Sequence, residues 1–187
     1  MRTGYDAAVR AGLAHLEATG AERIGLLVDE SEVPRDQIGE SAYLAWSAVR
    51  GRTPLVARVD PGRRRLAREV RDLLDRGADA ILAFCEEGPE IYLQLEATGR
   101  VIPRDLQLIA LCTGESGTGD CAVNERLGVT RVCVHPELAA ETMFSALGFS
   151  APVYPAPDFS PTSTAPDNDG PQVVDLPWEL IGGSTTR

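Results

Sequence analysis

The chain has 187 residues and a formal net charge of −10 at pH 7. That is long enough for one domain with a sizeable core, and too acidic to grip a phosphate backbone by itself. Hydrophobic residues make up 43% and charged residues 25%, as in an ordinary soluble globular protein, and no apolar run approaches the roughly 18–20 residues of a membrane span. The basic residues number 18 and all are arginine, which excludes Schiff-base and phosphate-loop lysine chemistry. The opening stretch MRTGYDAAVRAG has no apolar export-signal core, so a cytoplasmic protein is expected.

In chain order, Asp6 is placed to cap a helix with apolar positions Val9, Leu13 and Leu16, stopped by Gly20. His15 is a polar position on that helix. Ile24 to Val28 reads as a buried strand leaving through Asp29-Glu30-Ser31. A helix is expected over about Pro34 to Val49, with Ile38, Ala42, Ala45 and Val49 on one face, stopped at Arg50-Gly51. Leu55 to Val59 is the next strand. Asp60-Pro61 signals a helix start, and Leu66, Val70, Leu73 and Leu74 form its apolar stripe. Arg63-Arg64-Arg65 reads as a solvated face, because Glu69, Asp72 and Asp75 follow on the same helix.

The stretch Ala78 to Thr113 organises the rest. Ala80 to Phe84 and Gln107 to Leu111 are continuous apolar runs, with a helix between them that starts near Gly88-Pro89 and stops at Gly99. The unit is strand, helix, strand, so its strands are expected to be parallel neighbours with a right-handed crossover. Ligands of such sheets bind outside the carboxyl ends of the strands. Those ends carry Cys85-Glu86-Glu87 and Cys112-Thr113.

Gly114 to Gly128 reads as a loop, and its GESGTG lacks phosphate-cradle spacing. Val129 to Val134 is a strand. Pro136 opens a helix with Leu138, Met143 and Leu147, and His135 is expected to contact its first turn. Residues 149–172, rich in Pro, Ser, Thr and Asp, read as a surface loop, Val173 to Ile181 as the last strand, and the end as frayed.

The four cysteines, Cys85, Cys112, Cys121 and Cys133, form no Cys-x-x-Cys, so no structural zinc site is signalled and no metal or cofactor is expected. No G-x-S-x-G or recognisable nucleophile–base pair occurs, so an enzyme is not expected.

The string AILAFCEE…LEATGRVIPRDLQLIALCT resembles the effector domain of the lactose-repressor/galactose-repressor (LacI/GalR) family of transcriptional regulators. That family shows Ala-Ile-Phe-x-x-Asn-Asp, a helix ending in Gly, Pro-x-Asp, and a strand ending in Phe-Asp-Asp. YDAAVRAGLAHLEATGAERI, Val28 to Tyr43, Val129 to Leu147 and LPWELIGGST resemble further segments in the same order. No single motif is specific; their order and spacing are.

The resemblance implies a periplasmic-binding-protein-like α/β lobe, doubly wound on a parallel sheet, with a partial remnant of the other lobe. Residues 24–128 and 173–183 would form the second lobe, and 1–23 and 129–148 would be first-lobe fragments. Their apolar faces would then lack part of the sheet they cover, and self-association as a homodimer is expected. The implied function is a small-molecule-sensing domain of a regulator without its DNA-binding helix-turn-helix. DNA would be reached only through a segment absent from this chain, and no membrane is involved. The alternatives are a solute-binding protein of an importer and a degenerate paralogue serving only in dimerisation.

The implied effector site departs from the family. The usual helix arginine falls on Gly39, the usual Asn-Asp on Cys85-Glu86, the next strand-ending aspartate on Cys112, and a glutamine near Val134. Arg35, four residues before Gly39 on the same helix face, is placed to replace the lost guanidinium. A cleft at Asp29, Arg35, Gly39, Cys85, Glu86 and Cys112 is expected to bind a non-standard sugar or another metabolite. Cys85 and Cys112 have three open readings: small core residues, the lining of a less polar pocket, or a redox or metal-responsive pair.

Overall fold

Most strands form on apolar runs, and most helices where apolar positions recur every three or four residues. The computed structural model describes residues 4–60, 62–85, 88–113, 119–135, 141 and 178–187. Its elements are α1 (Tyr5–Ala18), β1 (Ile24–Asp29), α2 (Pro34–Val49), β2 (Leu55–Val59), α3 (Leu66–Asp75), β3 (Ala80–Phe84), α4 (Gly88–Glu96), β4 (Gln107–Thr113), α5 (Gly119–Arg126), β5 (Thr130–Val134) and β6 (Trp178–Ile181). They make one six-stranded sheet of order β2-β1-β3-β4-β5-β6. The first five strands are parallel and β6 closes one edge antiparallel to β5. The expected strand–helix–strand unit is present, with Ala80 to Ala83 opposite Gln107 to Ala110.

Both faces of the sheet are covered, as its continuous apolar strands require. On one face, Val9, Leu13 and Leu16 of α1 and Ala42, Tyr43 and Trp46 of α2 pack with Leu26, Leu82, Phe84, Leu111 and Val132. On the other, the α3 stripe Leu66, Val70, Leu73 and Leu74 and the α4 residues Ile91 and Leu95 pack with Leu27, Ile81, Ala83 and Leu108. Gly12 lets α1 approach the sheet closely, since a Cβ there would lie 3.1 Å from Leu82.

Several expectations change. Of the segments assigned above to a first lobe, the described parts 4–23 and 129–135 meet the same sheet as the rest: β5 pairs with β4, and α1 lies across β3, β4 and β6. Val9, Leu13 and Leu16 are at most 1% exposed, so the motive for self-association through α1 disappears. The Leu138, Met143 and Leu147 face lies outside the described residues. Asp6 is not a cap. It lies in the first turn of α1, which begins at Tyr5, and pairs with Arg10 at 2.5 Å. The buried stripe of α2 is Asp36, Gly39, Ala42, Tyr43, Trp46 and Ser47, while Ala45 and Val49 face outward. Tyr43 and Trp46 bury more apolar area than the alanines of the expected stripe, and area decides which face turns inward.

Helix α3 begins at Leu66 rather than at Asp60-Pro61, and the intervening turn holds Arg63 at φ 54°. Helix α5 lies where a loop was expected, its sequence GDCAVNER carrying no apolar stripe to announce it. The chain end does not fray. Thr185 is buried, its hydroxyl donates to the Leu108 carbonyl at 2.7 Å and accepts from the Thr130 N–H at 2.8 Å, and the Arg187 N–H donates to Gln107 Oε1 at 3.1 Å. His15 joins this clasp through Thr186, at 2.9 Å.

Burial holds the Tyr43 phenol above its ordinary value of 10.0, against the opposing pull of its hydrogen bond with the Leu55 backbone. A phenol whose native pKa is raised contributes stability that is intact below pH 10 and lost as pH rises above it, because the unfolded chain ionises first. The melting temperature is therefore expected to fall above about pH 10. Scanning calorimetry from pH 8 to 11 checks this, and a flat profile would contradict it.

Candidate functional site

Five parallel strands put five carboxyl ends on one edge of the sheet. Chain order reverses between β1, flanked by β2, and β3 on its other side, so the crevice of this topology opens at the carboxyl ends of β1 and β3. Those ends carry Asp29 and Cys85.

Asp29 sits among charged partners. Arg35, in the first turn of α2, places Nη2 3.5 Å from Asp29 Oδ2 and Nε 2.9 Å from Asp36 Oδ1. Arg63 pairs with Asp29 from the turn before α3. The Ser31 hydroxyl donates to the second oxygen of Asp36 and accepts from the Val33 N–H at 3.2 Å, which ties the start of α2 to the end of β1. Just outside, Arg65 reaches Glu30 at 2.7 Å. The side chains of Asp29, Arg35 and Arg63 are only 13%, 18% and 20% exposed. Two guanidiniums thus face two carboxylates, largely screened from bulk water. A non-glycine residue in the left-handed region costs on the order of 1–3 kcal/mol, and Arg63 holds that conformation beside Asp29.

The six residues singled out from the sequence fall in different places. Asp29 and Arg35 come together in this network. Gly39 lies against the Phe84 ring, with no room for a side chain. Cys85 is fully buried on the α3–α4 face, away from α2. Glu86 lies outside the described residues. Cys112 is joined to Cys121 of α5 by a disulfide and lies with Cys133, not with Cys85. The Cys112, Cys121 and Cys133 sulfurs lie within 4.8 Å of one another. Burial pushes the Cys133 thiol up, against the pull of the neighbouring Arg131 guanidinium. No sequence spacing announced this trio, because its members come from β4, α5 and β5. Arg63 also escaped the sequence reading, since a solvated helix face was expected and the turn instead aims it inward. His135 Nε2 lies 3.9 Å from Glu179 on β6.

A cleft of about 370 Å³ opens at the opposite edge, by the amino ends of β1 and β2, and is lined by Arg23, Tyr43, Trp46, Ser47, Arg52 and Leu55. The strand-order reversal and the paired charges lie at the carboxyl edge instead.

No protein-family model and no curated protein matches the sequence. Solved structures match the fold. A LacI family transcriptional regulator from Bifidobacterium animalis subsp. lactis superposes with a TM-score of 0.69 at 17% identity, over 97% of this chain and 61% of that one. A periplasmic binding protein/LacI transcriptional regulator from Alkaliphilus metalliredigens, complexed with D-xylulofuranose, gives 0.68 at 14% identity, over 99% and 64%. The chain has the periplasmic-binding-protein-like fold of LacI-family regulators. A sugar-binding LacI-family transcriptional regulator from Escherichia coli, complexed with phosphate, gives 0.64 at 17% identity, over 98% and 61%. The chain thus spans 61–64% of the length of these LacI-like structures. The expected parallel, doubly wound architecture is the observed one. Among the described residues, no helix is long and apolar enough to cross a membrane.

Proposed function

We propose that this chain is a small-molecule-sensing domain of a LacI/GalR-type transcriptional regulator, working in the cytoplasm and without catalysis. The observation that carries the reading is the Asp29–Arg35–Arg63 network at the β1/β3 crevice of a LacI-type fold. Carboxylates accept from ligand hydroxyls, and guanidiniums donate to hydroxyl, carboxylate or phosphate oxygens. The effector is then a small metabolite with hydroxyl or anionic oxygens at one end, and Arg35 takes the place of the guanidinium that the family keeps at the Gly39 position. DNA contact belongs, in this reading, to a helix-turn-helix that is not among these residues. A second copy of the chain is the expected partner, through a surface other than the buried face of α1.

A thermal-shift screen of polyols, sugar acids and sugar phosphates tests the proposal. A ligand at 100 times its Kd stabilises by about 2.7 kcal/mol, and each kcal/mol moves the melting temperature of a domain this size by about 2–4 °C. At least one compound is expected to raise it by several degrees, and Arg35→Gln is expected to abolish that rise while the variant stays folded. A screen without any shift, or a shift untouched by Arg35→Gln, would refute the site.

A further inference from the structure

We propose that Cys112, Cys121 and Cys133 form a three-thiolate site for a thiophilic d10 cation of the zinc class. The site is separate from the effector crevice and does not depend on it. Three elements supply the donors: Cys112 near the end of β4, Cys133 directly opposite it in register on β5, and Cys121 on α5 above both. All three are at most 1% exposed, and their sulfurs are mutually within 4.8 Å. A cation about 2.3 Å from each sulfur separates them by about 3.8–4.0 Å, whether the angles are tetrahedral or trigonal. In this structure the Cys112 and Cys121 sulfurs are bonded to each other, so that spacing is reached only after reduction lets them part from Cα atoms 5.8 Å apart, with the Cys133 sulfur already within 4.8 Å of both.

A disulfide alone does not account for the arrangement. It joins Cys112 to Cys121 and leaves Cys133, equally buried, beside both sulfurs. If the trio served only as small core residues, the polar group next to it would be unexplained. Arg131 precedes Cys133 by two residues on the same face of β5, and its side chain is 5% exposed. Its Nε has no hydrogen-bond partner, and its Nη2 is 3.8 Å from Glu125 of α5. A buried guanidinium in weak contact is costly beside neutral thiols. Beside three thiolates and a divalent cation, whose charges sum to minus one, it has a counter-charge. Thiolate-only donor sets select soft cations such as Zn(II) and Cu(I) over Mg(II) or Ca(II).

The loaded form is reached in two balanced steps. Two equivalents of a small thiol reduce the Cys112–Cys121 disulfide, giving two cysteine thiols and one small-molecule disulfide. The cation then displaces the proton of each of the three thiols. The filled site ties α5 to β4 and β5, so it is expected to stabilise the fold.

The 187-residue chain, reduced and then freed of reductant without exposure to air, is titrated with Zn(II) alone and with Cd(II) alone. One tight equivalent per chain is expected, with a sulfur-to-cadmium absorption band, a raised melting temperature and about three protons released per cation. Cys133→Ser is expected to weaken binding at least tenfold, and Cys85→Ser to leave it unchanged. Cys133 is the discriminating position, because a site that were only a disulfide would not notice its loss. The proton count on the unsubstituted chain stands whether or not the variants fold. Weak binding, two or fewer protons released, affinity unaffected by Cys133→Ser, or a disulfide that the small thiol does not open would each overturn the proposal.

Discussion

Gly39→Arg, which restores the arginine that the LacI/GalR resemblance places at this position, is expected to unfold the chain rather than rebuild a sugar site. Gly39 faces the Phe84 ring across the α2–sheet interface. A Cβ built there overlaps two ring carbons and lies 3.1 Å from a third. The ring has little freedom to yield, because Tyr5 of α1 meets it edge-on with centroids 6.0 Å apart. Overpacking of this kind costs about 1–3 kcal/mol for one methyl group, which is the loss expected for Gly39→Ala. The arginine adds a long charged side chain on a buried face, and the total approaches the roughly 5–15 kcal/mol that holds a domain together. Urea unfolding of Gly39→Ala, Phe84→Leu and the double variant checks the cause. If Phe84 is the obstacle, the double variant loses less than the two singles added, by at least about 0.5 kcal/mol. Strict additivity, or a neutral Gly39→Ala, would remove the explanation.

Tyr43→Phe is expected to cost about 1–3 kcal/mol, the penalty for stranding buried polar groups. The phenol sits where β1 and β2 begin. Its hydroxyl donates to the Ile24 carbonyl at 2.8 Å and accepts from the Leu55 N–H at 2.9 Å. Ile24 and Leu55 are 3% and 6% exposed, so phenylalanine leaves a carbonyl and an amide without that partner in a buried setting. It keeps the ring stacked on Trp46, with centroids 5.8 Å apart, so the loss isolates the hydroxyl. The same substitution should flatten the fall in melting temperature expected above pH 10, since the ionising group is gone. Calorimetry of both proteins at pH 7 and pH 10.5 reads both effects. An unchanged melting temperature at pH 7 would mean that the hydroxyl bridge is not what holds the first strand pair.

Continuous runs such as Leu26–Val28, Ala80–Phe84 and Leu108–Leu111 could be read as strands from the sequence because residues buried on both faces must all be apolar. The α3 stripe was legible for the same reason: Leu66, Val70, Leu73 and Leu74 have no apolar competitor on the other side of that helix. These patterns set the architecture; the chain leaving the first strand then pointed to Asp29, and the resemblance, through the arginine position that falls on Gly39, pointed to Arg35. Where two stripes compete, as on α2, sequence periodicity cannot rank them. The fit of Tyr43 against β1 and β2, and of Gly39 against Phe84, decides the rotation, and these are contacts between elements far apart in the chain. Arg63 illustrates the same limit. Its contact with Asp29 depends on a left-handed residue in a turn, a backbone choice that no apolar spacing encodes. The cysteines show it most sharply. Cys85 and Cys112 occupy equivalent strand ends, and a pair is one of three readings their sequence leaves open, yet Cys112 meets Cys121 because α5 covers the end of β4. That helix has no amphipathic stripe, so its presence, and the trio of sulfurs it completes, is decided by packing in three dimensions.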